Sequence, residues 1–326
     1  SETATQIVYF RKALPFANLT ISTSQNGSVT SIRRTPYGRI LTYQTSGPHA
    51  PSIQTDVILF DHEKKIEFIN HLHKDPVNRK EAVYFAFPFA VQQPSFSYEI
   101  QNGWVNPAKD TLLGGSLEWF TVQHWVRVAG NGLAAGLVPV DAPLVTLGDI
   151  NRGRWPVKFQ PKSSTVFSYA LNNYWHTNFR RVQSGDFTFR YVITSSATLS
   201  GEDLGRLGRA SMTPLELRHL INNDKYDNPA RPLSPAPASF LTISDPDVVV
   251  VDWKEADNGQ GTILRLLEIG GREARAEIGL PLFTLQKAVL DSAAEQDQVA
   301  IPLSGHSLSV DLKPHQIMTL RLLVKK

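Results

Sequence analysis

The chain has no cysteine and only two methionines in 326 residues. The missing thiols exclude disulfides, thiolate catalysis and Cys-based zinc sites together. They leave the compartment unknown, since Cys-free proteins occur on both sides of a membrane. No apolar run approaches the ~18–20 residues that a membrane span needs, so no membrane partner is read here. The first residues, Ser1-Glu2-Thr3-Ala4-Thr5, have neither a basic region nor an apolar core and do not read as a signal peptide. A cleaved signal, or a start inside a longer protein, would leave the same beginning. Charge is also sparse: 19% of residues are charged and the net value is +3. The basic clusters, Arg33-Arg34, Arg180-Arg181 and Lys325-Lys326, are too scattered for a nucleic-acid groove. There is no Gly-x-Ser-x-Gly elbow, phosphate loop or dinucleotide fingerprint.

What remains is a globular composition, with 41% hydrophobic and 10% aromatic residues. The length accommodates two domains. Candidate strands are short and many, which points to an all-β protein. Asn26-Gly27 predicts a two-residue hairpin between Leu19 and Ile21 on one side and Val29 and Ile32 on the other. A second hairpin is expected at His62–Lys65, between Val57–Phe60 and the alternating Ile66 and Phe68. Ala82–Phe89 is apolar on both faces, as a strand between packed sheets is, with Pro88 near its end. Phe187, Phe189, Tyr191 and Ile193 alternate cleanly with Thr188 and Arg190.

One short helix is expected from the capping box Thr213-Pro214-Leu215-Glu216. An earlier start at Ser200–Asp203 is weaker, because Gly205 and Gly208 interrupt it. Residues 228–237 hold four prolines in ten and predict a stiff connector. Beyond it, Val248–Val251, Ile263–Leu267 and Ile317–Leu322 suggest a small second β unit with turns at Asp257-Asn258-Gly259 and Gly270-Gly271. The expected divisions are 1–199 for the large β unit, 200–238 for the helical segment and connector, and 239–326 for the small β domain.

The densest chemistry lies in Leu171–Phe179. Asn172, Asn173, Tyr174, Trp175, His176, Thr177 and Asn178 place amides, a hydroxyl and an imidazole beside aromatic faces. Buried amides need partners, and a sugar ring offers both edge hydroxyls and an apolar face. The plainer alternative, which leads on residue chemistry alone, is that the Asn pair braces a loop leading into a strand. Asp149 and Trp155 are further candidates for contacting carbohydrate. Trp104, Trp119 and Trp125 suit sugar stacking or core packing, and core packing fits at least half of the tryptophans. Asp110, Glu118, Asp141, Asp149 and Asp186 offer carboxylates for glycoside chemistry, but an Asp at a turn is more often a brace. His71-Leu72-His73 puts two imidazoles on one strand face. With no third ligand located, no metal site is assigned.

Several segments together resemble the C-terminal region of glycoside hydrolase family 38, the retaining, zinc-dependent α-mannosidases. They are Glu81–Phe89, Asp141–Leu144 with Gly148-Asp149-Ile150, Asn172–Asn178, and Lys254–Gly259 through Arg265–Glu268. The resemblance implies a β supersandwich of the galactose-mutarotase type, followed by a small C-terminal β-sandwich unit. It also implies a non-catalytic role, with an N-terminal catalytic domain and carbohydrate as partners. That family's zinc and aspartate nucleophile belong to an N-terminal α/β barrel, which this sequence does not show. No catalytic residue carries over, no cofactor is expected in this chain, and zinc is expected in the missing catalytic domain. Two other readings stand beside this one. The first is a stand-alone carbohydrate-binding protein. The second is a mutarotase-like epimerase or lyase, with His124 or His176 beside Glu118 or Asp149.

Overall fold

The computed structural model describes residues 20–150, 156–173, 180, 182–216 and 238–325. Compact units divide at Thr213/Pro214. The first contains β1 (Gln25–Thr35), β2 (Gly38–Gly47), β3 (Ala50–Phe60), β4 (Ile66–Lys74), β5 (Ala82–Pro88), β6 (Ser95–Ile100) and β7 (Gly103–Val105). It continues through β8 (Phe120–Thr121), β9 (Val126–Gly130), β10 (Leu133–Pro139), β11 (Leu144–Leu147), β12 (Thr165–Asn172), β13 (Gly185–Ser196) and the helix α1 (Gly201–Met212). All recorded strand pairings are antiparallel, in a nine-stranded sheet β1-β2-β3-β4-β13-β10-β9-β6-β7 and a four-stranded sheet β5-β12-β11-β8.

The strand alternation at Phe187, Phe189, Tyr191 and Ile193 becomes the core face of β13, where Tyr191 opposes Phe68 and Phe187 opposes Leu72. Tyr191 is fully buried and packs 4.8 Å from Phe87 and 5.6 Å from Phe85. Its hydroxyl donates to Ser168 Oγ at 2.9 Å, so the burial leaves no orphaned donor. Burial pushes this phenol well above the ordinary tyrosine range. β5 is an edge strand of the smaller sheet rather than one between two sheets. Its inward Phe85 and Phe87 enter the core, and its outward Tyr84 stacks on Tyr169 at 4.6 Å. That outward stack accounts for the apolar character of both faces.

Asn26-Gly27 does not form a hairpin. β1 runs through both residues, and Asn26 takes φ 56 at a register shift between Gln25 and Ser28. The left-handed preference of Asn is used in a β-bulge, and Gly27 lies where a Cβ would fall 1.4 Å from the Tyr43 hydroxyl. The hairpin at residues 61–65 forms between β3 and β4 as expected.

The helix begins at the site that appeared weaker. Ser200 caps α1 in a reciprocal capping box with Asp203, and Thr213, expected to start a helix, is the C-cap. Burial raises the Asp203 carboxyl, but hydrogen bonds from Ser200 and the charge of Arg206 outweigh it and hold it below the ordinary range. Gly205 and Gly208 lie on the buried face of α1. A Cβ on Gly208 would come within 2.6 Å of His124 Cβ, and one on Gly136 beneath the helix within 2.2 Å of Leu204. The glycines therefore permit close helix–sheet packing, which outweighs their low helix propensity. The rest of the expected helix, like the proline connector, lies outside the described residues.

The second unit holds β14 (Thr242–Ile243), β15 (Val248–Glu255), β16 (Thr262–Glu268), β17 (Ala274–Gly279) and β18 (Thr284–Asp291). The strands β19 (Asp297–Ile301), β20 (Leu303–Ser304), β21 (Ser307–Leu312) and β22 (Ile317–Lys325) complete it. Sheets β14-β17-β21-β20 and β15-β16-β22-β18-β19 enclose a core that includes Leu264, Leu266, Ile278, Leu308, Leu320 and Leu322. The two expected turns carry Gly259 at φ 71 and Gly271 at φ 69. The fully buried Glu268 carboxylate accepts from the backbone N–H groups of Gly270, Gly271, Arg272 and His315 at 2.6–3.2 Å. It ties the 270–272 turn to the 313–316 turn. No helix among the described residues is long and apolar enough to cross a membrane.

Candidate functional site

Strand ends from both sheets of the first unit converge on one polar rim. The end of β4 contributes Lys74 and His73, the β2–β3 turn His49, the residue before β5 Glu81, and the end of β12 Asn172 and Asn173. Gln183 precedes β13 and Asp186 lies at its start. Lys74 has a side chain only 4% exposed and pairs with Glu81 Oε1. Glu81 Oε2 contacts His49 Nδ1 at 2.9 Å, so both carboxylate oxygens are engaged. Lys74 also donates to Asp75 O at 3.0 Å. A buried ammonium is tolerated only with such partners.

Asn173 holds this rim together. Its Oδ1 accepts from Glu81 N at 2.6 Å, its Nδ2 donates to Val77 O at 3.0 Å, and its own N donates to Glu81 O at 3.1 Å. For Asn173 the bracing role is thus the observed one. Lys74, Glu81, Ala82, Val83, Leu171, Asn172, Asn173 and Gln183 line an open cleft of about 230 Å³, a figure that includes open solvent. Tyr174, Trp175, His176, Thr177, Asn178 and Trp155 lie outside the described residues.

The remaining candidates are placed separately. Asp149 accepts from Lys162 at 2.6 Å and from Ile150 N at 2.8 Å, as a turn brace does. Asp110 accepts from Asn106 N at 2.7 Å. Asp186 pairs with His73 at 2.7 Å, and Glu118 is buried. His124 meets neither Glu118 nor Asp149. It contacts Glu99 at 2.9 Å, and Glu99 also accepts from Arg209 at 3.1 Å, a clamp between α1 and the sheet. Trp125 is core, Trp104 is exposed, and Trp119 stacks on Tyr169 at 5.9 Å.

Asp141 accepts from Arg190 Nε and Nη2 at 3.0 and 2.9 Å and from Arg190 N at 2.8 Å. Burial pushes its carboxyl up, but the bonds and charge of Arg190 push harder and leave it below its ordinary value of 3.8. A carboxyl depressed on folding stabilises the fold above its unfolded value, and that contribution is lost as pH falls through the folded value. Urea melts at stepped pH below 5 should therefore show wild type losing its advantage over Asp141→Asn as the acid limb is descended. A difference independent of pH would contradict the assignment.

Sequence reading missed Lys74 and Glu81. The available signal was parity: Phe68, Asn70, Leu72 and Lys74 share the inward face of β4, and a lysine there requires a buried counterion.

The fold and rim define an all-β protein of two units, with a polar edge on the first. Residues 247–320 match the family model for the glycosyl hydrolases family 38 C-terminal beta sandwich domain. The second unit therefore carries the match to that β-sandwich domain, in agreement with the resemblance of the tail. No curated protein matches the sequence. Among solved structures, an α-mannosidase from Enterococcus faecalis V583 is similar over 91% of this chain, with a TM-score of 0.64 and 10% identity. A glycosyl hydrolase family 38 protein from Enterococcus faecalis is also similar over 91%, with a TM-score of 0.65 and 11% identity. The chain spans only 35% and 36% of their respective lengths.

A catalytic zinc of the kind the family resemblance assigns to another domain finds no three-residue ligand set of His, Asp or Glu among the described residues. His73-Lys74-Asp75 has a His-x-Asp spacing in the sequence. It lies at the end of β4, where His73 faces Asp186 and Lys74 turns inward to Glu81.

Proposed function

We propose that this chain is the non-catalytic C-terminal β region of a family-38-like α-mannosidase. It supports an N-terminal catalytic domain on the same or a partner polypeptide. The observation that carries this reading is the pairing of 91% coverage of this chain with about a third of the length of two family-38 structures. We read the first unit as a supersandwich of the galactose-mutarotase type. Its rim, with Asn172 and Asn173, borders a carbohydrate site that the catalytic domain completes, and Tyr174 to Asn178, Trp155 and Asp149 stay sequence candidates for contacting the sugar. The open cleft supports this, because Lys74, Glu81, Asn172, Asn173 and Gln183 line it with polar side chains.

Two measurements test the proposal. An immunoblot of source cells should show a native polypeptide far above 36.3 kDa, and the isolated chain should not hydrolyse an aryl α-mannoside with or without added zinc. A native band at 36.3 kDa, or zinc-dependent turnover by the chain alone, would overturn it. In the first case, glycan affinity without turnover that is lost on Trp175→Ala would favour the binding-protein alternative. Mutarotation or eliminative cleavage would favour the epimerase or lyase.

A further inference from the structure

We propose that His71 and His73 form a surface chelate for one divalent transition-metal ion of the zinc, nickel or copper type, held through both Nε2 atoms. The two residues are separated by one position on β4 and both are exposed. They oppose Thr188 and Asp186 on β13, on the sheet face that points away from the inward Leu72 and Lys74. His71 Nδ1 contacts Thr188 Oγ1 at 3.1 Å, and His73 Nδ1 contacts Asp186 Oδ1 at 2.7 Å. Each imidazole thus has one nitrogen held by an oxygen on the same neighbouring strand. Neither Nε2 has a protein partner among the described residues.

This is the arrangement in which a second-layer oxygen fixes ring orientation and tautomer and increases the basicity of the outward nitrogen. A proton on Nδ1, donated to the Asp186 carboxylate, leaves the Nε2 lone pair of His73 free. His71 is prepared in the same way in the tautomer whose Nδ1 donates to Thr188 Oγ1. Residues two apart on a strand have Cα atoms roughly 6.6 Å apart. Zinc–imidazole bonds of about 2.0–2.1 Å therefore require the ring tips to lean together. Exposed side chains make that change by torsion, without moving the backbone. Across β3, Gln54 opposes His71 and Ser52 opposes His73, so no cation borders the pair from that strand. Two imidazoles leave further coordination positions to water or to a group from a partner. The site is independent of the catalytic zinc that the family resemblance places in another domain.

The test is titration of the full 326-residue chain with Ni²⁺, Zn²⁺ and Cu²⁺ separately, by calorimetry, with EPR of the Cu²⁺ complex. The expected result is one ion per chain with two nitrogen ligands. Affinity should fall at least about tenfold in either His71→Ala or His73→Ala, because the second bond is effectively intramolecular. It should fall about 10–100-fold in Asp186→Asn, which removes the orienting carboxylate. Both imidazoles are exposed, so unchanged thermal melts of these variants will exclude misfolding as the cause. Undiminished binding by the double His71→Ala/His73→Ala variant would overturn the proposal. So would single variants that each lose only half the stoichiometry at unchanged affinity, since that marks two independent imidazoles.

Discussion

Arg321→Ala is expected to destabilise the second unit by about 3–5 kcal/mol, the usual result of leaving a buried charge unpaired. The Arg321 side chain is 4% exposed and that of Asp291 is fully buried. The guanidinium reaches Asp291 Oδ2 at 3.0 Å, Asp297 Oδ1 at 2.7 Å, Asn258 Oδ1 at 3.0 Å, Gln260 O at 3.1 Å and Glu295 O at 2.8 Å. It therefore joins β22 and β18 to the 256–261 and 292–296 turns. Truncation leaves the Asp291 carboxylate with only the Ser292 N–H as a recorded partner. Arg321→Lys should recover little, because an ammonium cannot reproduce the planar fork. Arg321→Met combined with Asp291→Leu should lie closer to wild type than the single alanine variant, since it removes both charges. Hydrogen exchange of residues 248–325 in the full chain localises the effect. Unchanged protection in Arg321→Ala would mean that water replaces the guanidinium.

Asn173→Ala is the second large effect expected, in the first unit. The substitution orphans Glu81 N and Val77 O, and each buried group left unsatisfied costs about 1–3 kcal/mol. Asn173 is 6% exposed, so solvent does not readily replace the lost bonds. Asn173→Asp keeps an acceptor for Glu81 N and loses the donor to Val77 O, so it should fall between wild type and alanine apart from the added charge. Equilibrium urea unfolding of the full chain, monitored alongside exchange at residues 77–88, provides the measurement. A loss below about 1 kcal/mol would show that these bonds are exchanged freely with water. Because Asn173 positions Glu81, which engages Lys74 and His49, the same variant should also disturb the cleft. If the proposed function holds, this would appear as altered sugar affinity.

The two variants address different kinds of polar burial. Arg321 satisfies a network within one sheet and its adjoining turns. Asn173 links the chain before β5 to the end of β12, at the margin where the proposed site lies. A structural defect at Arg321 should leave that margin intact, which makes it a useful control for any change in glycan affinity caused by Asn173.

Much of the fold could be read from short-range pattern. The alternation of Phe187, Phe189, Tyr191 and Ile193 defined β13, because a period of two allows only one set of side chains onto the core. The turns around Gly259 and Gly271 were likewise legible, since positive φ is a local requirement. The segments at Glu81–Phe89, Asp141–Leu144, Gly148–Ile150, Asn172–Asn178 and Lys254–Glu268 carried the resemblance to family 38, and the match over residues 247–320 covers the last of them. Local signals misled where tertiary packing set their use. Asn26-Gly27 became a bulge beneath Tyr43, and Gly208 allowed a helix to approach His124 instead of breaking it. The capping box at Thr213 lost to the one at Ser200, whose helix could bury Leu204 against Trp125, Val138 and Val192. The sequence alone determined an all-β chain whose residues 247–320 match the family-38 C-terminal β-sandwich model. Only the tertiary structure brought Asn173 to Glu81, 92 positions earlier, and so to the Lys74–Glu81 pair, where these groups depend on each other to satisfy buried charge and amide groups.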